Sequence, residues 1–191
     1  MNTQEKNTRR DGATRDASTA GAGLAVGSLG RAAKAHQSGQ GNDRAGRQVA
    51  LTIDDGPAVG AGDDFDVFEM ISSKLRKTFV EMKVPAIMFV NEKQLHVDGQ
   101  RDARTAVLQQ WIKSGLEVGN HTFSHRRLAK SRLYEFYDEI VRGEVISREL
   151  LRKRSERVEW FRYPYLSSDS GERARKVEEF LAERGYRIAP V

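Results

Sequence analysis

From Gln48 onward the spacing of apolar residues alternates between two periods. Val49-Ala50-Leu51-Thr52-Ile53 is a continuous apolar run bounded by Gly56-Pro57, so Gln48–Asp55 predicts a buried strand. Phe65, Phe68, Ile71, Leu75, Phe79 and Met82 recur every three or four residues, which predicts a helix over Asp64–Lys83. Pro85–Val90 predicts a second strand. Arg101–Ser114 predicts a helix carrying Val107, Leu108, Trp111 and Ile112 and closed by Gly115. The same logic gives a strand at Leu116–Thr122 and one long charged helix at Ser131–Arg154. It then gives a strand at Val158–Tyr163, a helix at Ser170–Arg184 closed by Gly185, and a strand starting at Tyr186–Val191.

Strands alternating with helices imply an α/β fold with a parallel sheet and right-handed crossovers. An open doubly wound sheet and a (β/α) barrel both satisfy the pattern. No GxGxxG or GxxxxGK[ST] follows the first strand, which argues against a nucleotide-binding fold. Residues 1–47 lack aromatic residues and are rich in Gly, Ala, Ser, Thr, Asn, Gln and Arg, so they read as a disordered low-complexity tail preceding a domain at 48–191.

Charge changes the picture little. The net charge is +5, but residues 1–47 hold eight Lys and Arg against four Asp and Glu, leaving the remainder nearly neutral. The high pI therefore belongs to the tail, and no nucleic-acid partner is expected. The absence of cysteine excludes disulfides, zinc–thiolate sites and cysteine nucleophiles, so any metal must be held by His, Asp or Glu. No apolar stretch of about 18 residues predicts a transmembrane helix. The glycine-interrupted segment Ala20–Gly30 does not read as a signal peptide, and the cytoplasm is the default expectation.

Polar clusters fall at matching places. Asp54-Asp55 closes the first strand, His121 and His125 follow the third, and Arg162 with Pro164 and Tyr165 follows the fourth. In parallel α/β folds the C-terminal strand ends share one face, so these groups converge. The i, i+4 spacing of His121 and His125 on a helical turn would put both imidazoles on one side. Two His and one Asp make a ligand set with positions open for water and substrate. If one Asp ligates, the other can act as a base, and Arg162 can hold that base ionised. Each piece also has an ordinary reading. The Asp pair can be a turn before Gly-Pro, Arg162 a surface ion pair, and Tyr163 and Tyr165 rim packing. Trp111 and Trp160 read as core, His36 and His96 as bystanders, and Asp63, Asp64 and Asp66 as a helix cap.

Thr52-Ile53-Asp54-Asp55-Gly56-Pro57, His121-Thr122-Phe123-Ser124-His125 and Arg162-Tyr163-Pro164-Tyr165 together resemble the polysaccharide deacetylase family, carbohydrate esterase family 4. The resemblance covers about residues 48–191 and matches in order and approximate spacing. It implies a distorted (β/α) barrel and metal-dependent hydrolysis of N- or O-acetyl groups on an acetylated polysaccharide or oligosaccharide. By position, Asp54 would be the catalytic base, paired with Arg162. Asp55, His121 and His125 would bind a divalent metal, commonly zinc, with cobalt or another divalent ion as alternatives. The backbone N–H of Tyr165 would help stabilise the oxyanion. Family members often act outside the cytoplasm.

Two departures qualify this. Leu166 stands where many members have Gly, so the groove loop is expected to differ. The later Asp-Trp and Leu-x-His motifs, which line the family's site and supply a general acid, have no counterpart before Val191. The barrel is therefore expected to be incomplete at its C-terminal end, with an unpaired edge, an uncovered apolar face, a retained metal site and little activity. The competing readings are a cyclic amide or imide hydrolase of the same fold and a non-catalytic carbohydrate-binding or vestigial protein.

Overall fold

The computed structural model describes residues 49–190; the predicted 1–47 tail, with His36, lies outside the described residues. Five parallel strands, β1 (Leu51–Gly56), β2 (Ala86–Val90), β3 (Glu117–Asn120), β4 (Trp160–Phe161) and β5 (Arg187–Ile188), pair in the order of the sequence. Five helices connect them: α1 (Phe65–Glu81), α2 (Arg101–Lys113), α3 (Leu133–Arg142), α4 (Val145–Arg152) and α5 (Gly171–Glu183). A doubly wound sheet reverses its strand order at a switch point, whereas here each strand lies beside its sequence neighbour. The sheet is therefore the barrel type.

Among the described residues β1 pairs with β2 alone and β5 with β4 alone, so the sheet these residues form is not closed on itself. Its concave face lines a cavity of about 750 Å3 bounded by Leu51, Ile87, Phe89, Trp160 and Arg162. Trp160, expected in the core, is only partly buried on this face; Trp111 is fully buried. Helices cover the other face, where Phe68, Leu108, Trp111, Phe136, Val177 and Leu181 are wholly inaccessible.

Helix ends follow local chemistry. Asp64 caps α1 by accepting the Val67 N–H at 3.0 Å, as its acidic first turn suggests. Gly115 and Gly185, with φ of 81° and 79°, provide the left-handed exits from α2 and α5.

The predicted single helix over Ser131–Arg154 is two helices, broken at Gly143-Glu144. Two interactions explain the break. A Cβ on Gly143 would lie 2.7 Å from the Thr122 carbonyl carbon and 2.8 Å from the Phe123 nitrogen, so the chain passes directly under the His121–His125 loop. The buried Glu92 carboxylate then accepts the N–H groups of Ile146 and Ser147 at 2.9 and 2.7 Å, capping α4 from another element. Burial pushes the Glu92 carboxyl up, and these two backbone bonds pull it back.

Gly143→Ala is a sharp test of this contact. Helix propensity alone would favour Ala by about 1 kcal/mol. The steric conflict is with backbone, and overpacking of that kind costs about 1–3 kcal/mol. The variant is expected to unfold at lower urea concentration than the parent; an equal or higher midpoint would contradict the close approach.

Candidate functional site

The site lies at the C-terminal strand ends. On an unbroken strand Asp54 and Asp55 would point to opposite faces. β1 is irregular here: Ile53 pairs with Met88 but Gly56 with Val90, so three steps on β1 oppose two on β2. This bulge, with Asp55 at φ 56°, aims both carboxylates into the site. Gln94 fixes the turn, donating to the Asp55 carbonyl at 2.9 Å and accepting from the Ala58 N–H at 3.0 Å.

His121 and His125 are not on a helix. Thr122 and His125 have φ of 64° and 58°, and the loop folds back so that the two imidazoles lie 5.0 Å apart. The i, i+4 spacing brings them together through left-handed backbone rather than a helical turn. Non-glycine residues in that region are strained, and buried polar groups hold them there. The Asn120 side-chain oxygen accepts the Thr122 N–H at 2.8 Å. The Asn91 side chain donates to the His121 carbonyl at 2.5 Å and to that of Thr122 at 3.2 Å. From α3, Glu139 accepts the Ser124 N–H at 2.7 Å and its hydroxyl at 2.8 Å.

Arg162, just beyond β4, serves both halves of the site. Its carbonyl oxygen lies 2.8 Å from Nδ1 of the buried His121. That contact requires the proton on Nδ1 and leaves the Nε2 lone pair facing Asp55. Its guanidinium Nη1 donates to Asp54 Oδ1 at 2.9 Å and to Thr52 Oγ1 at 2.7 Å. Nη2 donates to the Pro190 carbonyl at 3.2 Å, and the guanidinium lies 4.3 Å from the Phe89 ring centroid. Arg162 is buried at 8% exposure while Asp54 is half-buried, so the pair is not the surface pair of the ordinary reading.

Asp55 Oδ1 is buried and receives no hydrogen bond, although it lies 3.7 Å from His121 Nε2 and 3.3 Å from His125 Nε2. One ligand atom from each residue falls within 4.8 Å of the others. Asp55 Oδ1 and the Nε2 lone pair of His121 are two acceptors facing each other, which repel unless they share a cation, and a carboxylate with two imidazoles suits a divalent ion of borderline softness. Burial is the main cause pulling the His121 pKa down, which favours the neutral imidazole; the carbonyl of Arg162 and the Asp54 charge oppose it.

The remaining candidates separate. Tyr165, at φ 60°, is 53% exposed, its ring centroid 4.4 Å from that of His125. Tyr163 is instead buried and stacks on Phe136. His96 packs edge-on against Phe123 and joins no ligand cluster. Sequence reasoning missed Asn91, Gln94, Asn120 and Glu139. Asn91 and Asn120 have as their signal only a polar residue at the end of an apolar strand, and Gln94 and Glu139 look like ordinary surface residues.

Comparison with known proteins places the fold. The sequence matches the polysaccharide deacetylase family over residues 41–188. No curated protein matches the chain. Among solved structures, a family 4 carbohydrate esterase from Streptomyces lividans, determined with acetate, is similar at 20% identity and a TM-score of 0.53. The match covers 74% of this chain and 60% of that one. A peptidoglycan deacetylase from Bacillus subtilis is similar at 23% identity and a TM-score of 0.52, over 73% of this chain and 56% of that one. A family 4 pseudoenzyme from Bacillus anthracis has 15% identity and a TM-score of 0.54, over 74% and 42%. The chain thus spans between about two fifths and three fifths of the length of these three structures. The strand order, the three strand-end clusters and the extent of the sequence match lead to one assignment: the chain belongs to the polysaccharide deacetylase family.

Proposed function

We propose that the protein is a metal-dependent hydrolase that removes N- or O-acetyl groups from a carbohydrate polymer, with zinc as the metal. The observation that carries this reading is the orphaned Asp55 Oδ1 between two imidazole nitrogens, beside a second carboxylate held separately by an arginine. Asp55, His121 and His125 would hold the ion. When bound, it would lower the pKa of water and polarise the acetyl carbonyl.

The chain's own residues supply the rest. Asp54 takes the proton of the attacking water. Arg162 engages one of its oxygens, directing the carboxylate and leaving the other oxygen to receive that proton. The Tyr165 backbone N–H donates to the oxygen that becomes negative as water adds to the carbonyl. Hydrolysis yields acetate and a free amine or hydroxyl on the sugar.

A second reading is a metal-holding protein with little turnover. It is favoured by the exposure of Tyr165, whose backbone N–H would serve the oxyanion, because acyl hydrolysis gains from a closed, water-poor site. Zinc-dependent acetate release from a chitin oligomer by the 191-residue chain, measured beside a family 4 enzyme, separates the two. Comparable rates would eliminate the second reading, and traces near background would eliminate the first.

The site generates three further expectations. His121→Ala should abolish zinc retention after gel filtration, while Asp54→Asn should keep zinc and lose at least about 100-fold in acetate release. Unchanged zinc stoichiometry in the first variant would refute the ligand set. Glu139→Ala should weaken zinc about tenfold with the circular dichroism spectrum preserved, since it removes the acceptor for both the Ser124 N–H and its hydroxyl. In chelator-treated protein, burial lowers the His121 pKa, so between the usual histidine range near pH 6.5 and the folded value the unfolded chain binds more protons. Stability should therefore fall as pH drops below about 6.5. An NMR titration placing His121 at or above the usual range would contradict this.

A further inference from the structure

Beside the proposed metal ligands lies a second feature. A cleft of about 430 Å3 is lined by His125, Arg126, Arg127, Lys130 and Tyr165. It shares His125 with the candidate ligand cluster, so an occupant of the cleft abuts the acetyl-binding position. Its charge is concentrated. The segment Arg126-Arg127-Leu128-Ala129-Lys130-Ser131-Arg132 carries four cations and no acid, within a domain whose overall charge is nearly neutral.

These charges are poorly neutralised by the protein. Arg126 has a partner, Glu135, at 3.5 Å. Arg127 and Lys130 form no ion pair among the described residues. The Arg127 guanidinium instead lies 4.3 Å from the centroid of the Tyr165 ring. That contact holds it at the cleft wall beside an aromatic face that remains 53% exposed.

The backbone under these side chains is tied down. Leu128 is buried, the Ser131 hydroxyl donates to the Arg127 carbonyl at 2.9 Å, and Arg173 donates to the Ser131 and Leu128 carbonyls at 2.7 and 3.3 Å. A fixed loop presenting two unneutralised cations and an exposed aromatic ring is preorganised for an anionic sugar. The ring stacks on the pyranose, and the cations meet its charge.

Resting on the deacetylase reading, we infer that this cleft is a subsite for an anionic group, a carboxylate or phosphate, on or beside the acetylated sugar, read by Arg127 and Lys130. The substrate class is thus an acetylated polyanionic glycan rather than a neutral one.

Isothermal titration of the full zinc-loaded chain tests this, in an Asp54→Asn background so that ligand is not consumed. The probes are chitotetraose, carboxymethylated chitotetraose and phosphorylated chitotetraose. The expected result is about tenfold tighter binding of at least one anionic probe than of the neutral one, a preference that shrinks with added salt. The better anionic probe identifies the group as carboxylate or phosphate. Arg127→Gln with Lys130→Gln should erase the preference for the anionic probe over chitotetraose while zinc stoichiometry stays unchanged. Equal binding of neutral and anionic probes, or a preference that survives the double substitution, overturns the inference and leaves the deacetylase reading standing. Failure of all three probes to bind overturns both.

Discussion

The site depends on one residue used twice. The carbonyl of Arg162 anchors Nδ1 of His121, and the guanidinium of the same residue anchors Asp54. The first contact sets which imidazole nitrogen carries the proton; the second fixes the direction of a carboxylate. A buried guanidinium is costly unless its donors are met. Here Thr52, Asp54 and the Pro190 carbonyl meet Nη1 and Nη2, and the Phe89 ring covers its plane. Nε alone finds no partner. Strand β4 is short, yet its placement is exact enough for this because the Arg162 N–H donates to the Asn120 carbonyl at 3.0 Å, locking the site's two strand ends together.

That dual anchoring separates two chemistries across adjacent residues. A regular strand would aim Asp54 and Asp55 at opposite faces. The bulge in β1 lets Asp54 face Arg162 while Asp55 faces the imidazoles. The His121–His125 loop likewise relies on backbone that a free peptide would avoid, and Asn91, Asn120 and Glu139 hold it. The rigidity suits a proposed metal site, where small displacements of a ligand cost affinity.

Much of this was legible in the sequence because the signals are periodic or local. Alternating strand and helix periods located all five strands, and the strand-end placement of Asp54, Asp55, His121, His125 and Arg162 followed from parallel topology alone. The Asp64 cap was readable from its position at a helix start. What escaped were features that exist only across elements. The helix break at Gly143 arises from close packing under Thr122, and the cap of α4 comes from Glu92, over fifty residues away. The β1 bulge shows only in register with β2, and the i, i+4 histidines could not announce that left-handed backbone, not a helix, would unite them. Glu139 looks like any acidic residue on an amphipathic helix until Ser124 is placed against it.

The account rests on Asp55, His121 and His125 sharing one ion while Asp54 stays apart from it. X-ray absorption at the zinc edge of the zinc-loaded chain reads that shell directly. The account predicts a mixed nitrogen and oxygen shell near about 2.0–2.1 Å with multiple scattering from two imidazoles. An all-oxygen shell, or scattering from a single imidazole, would contradict it.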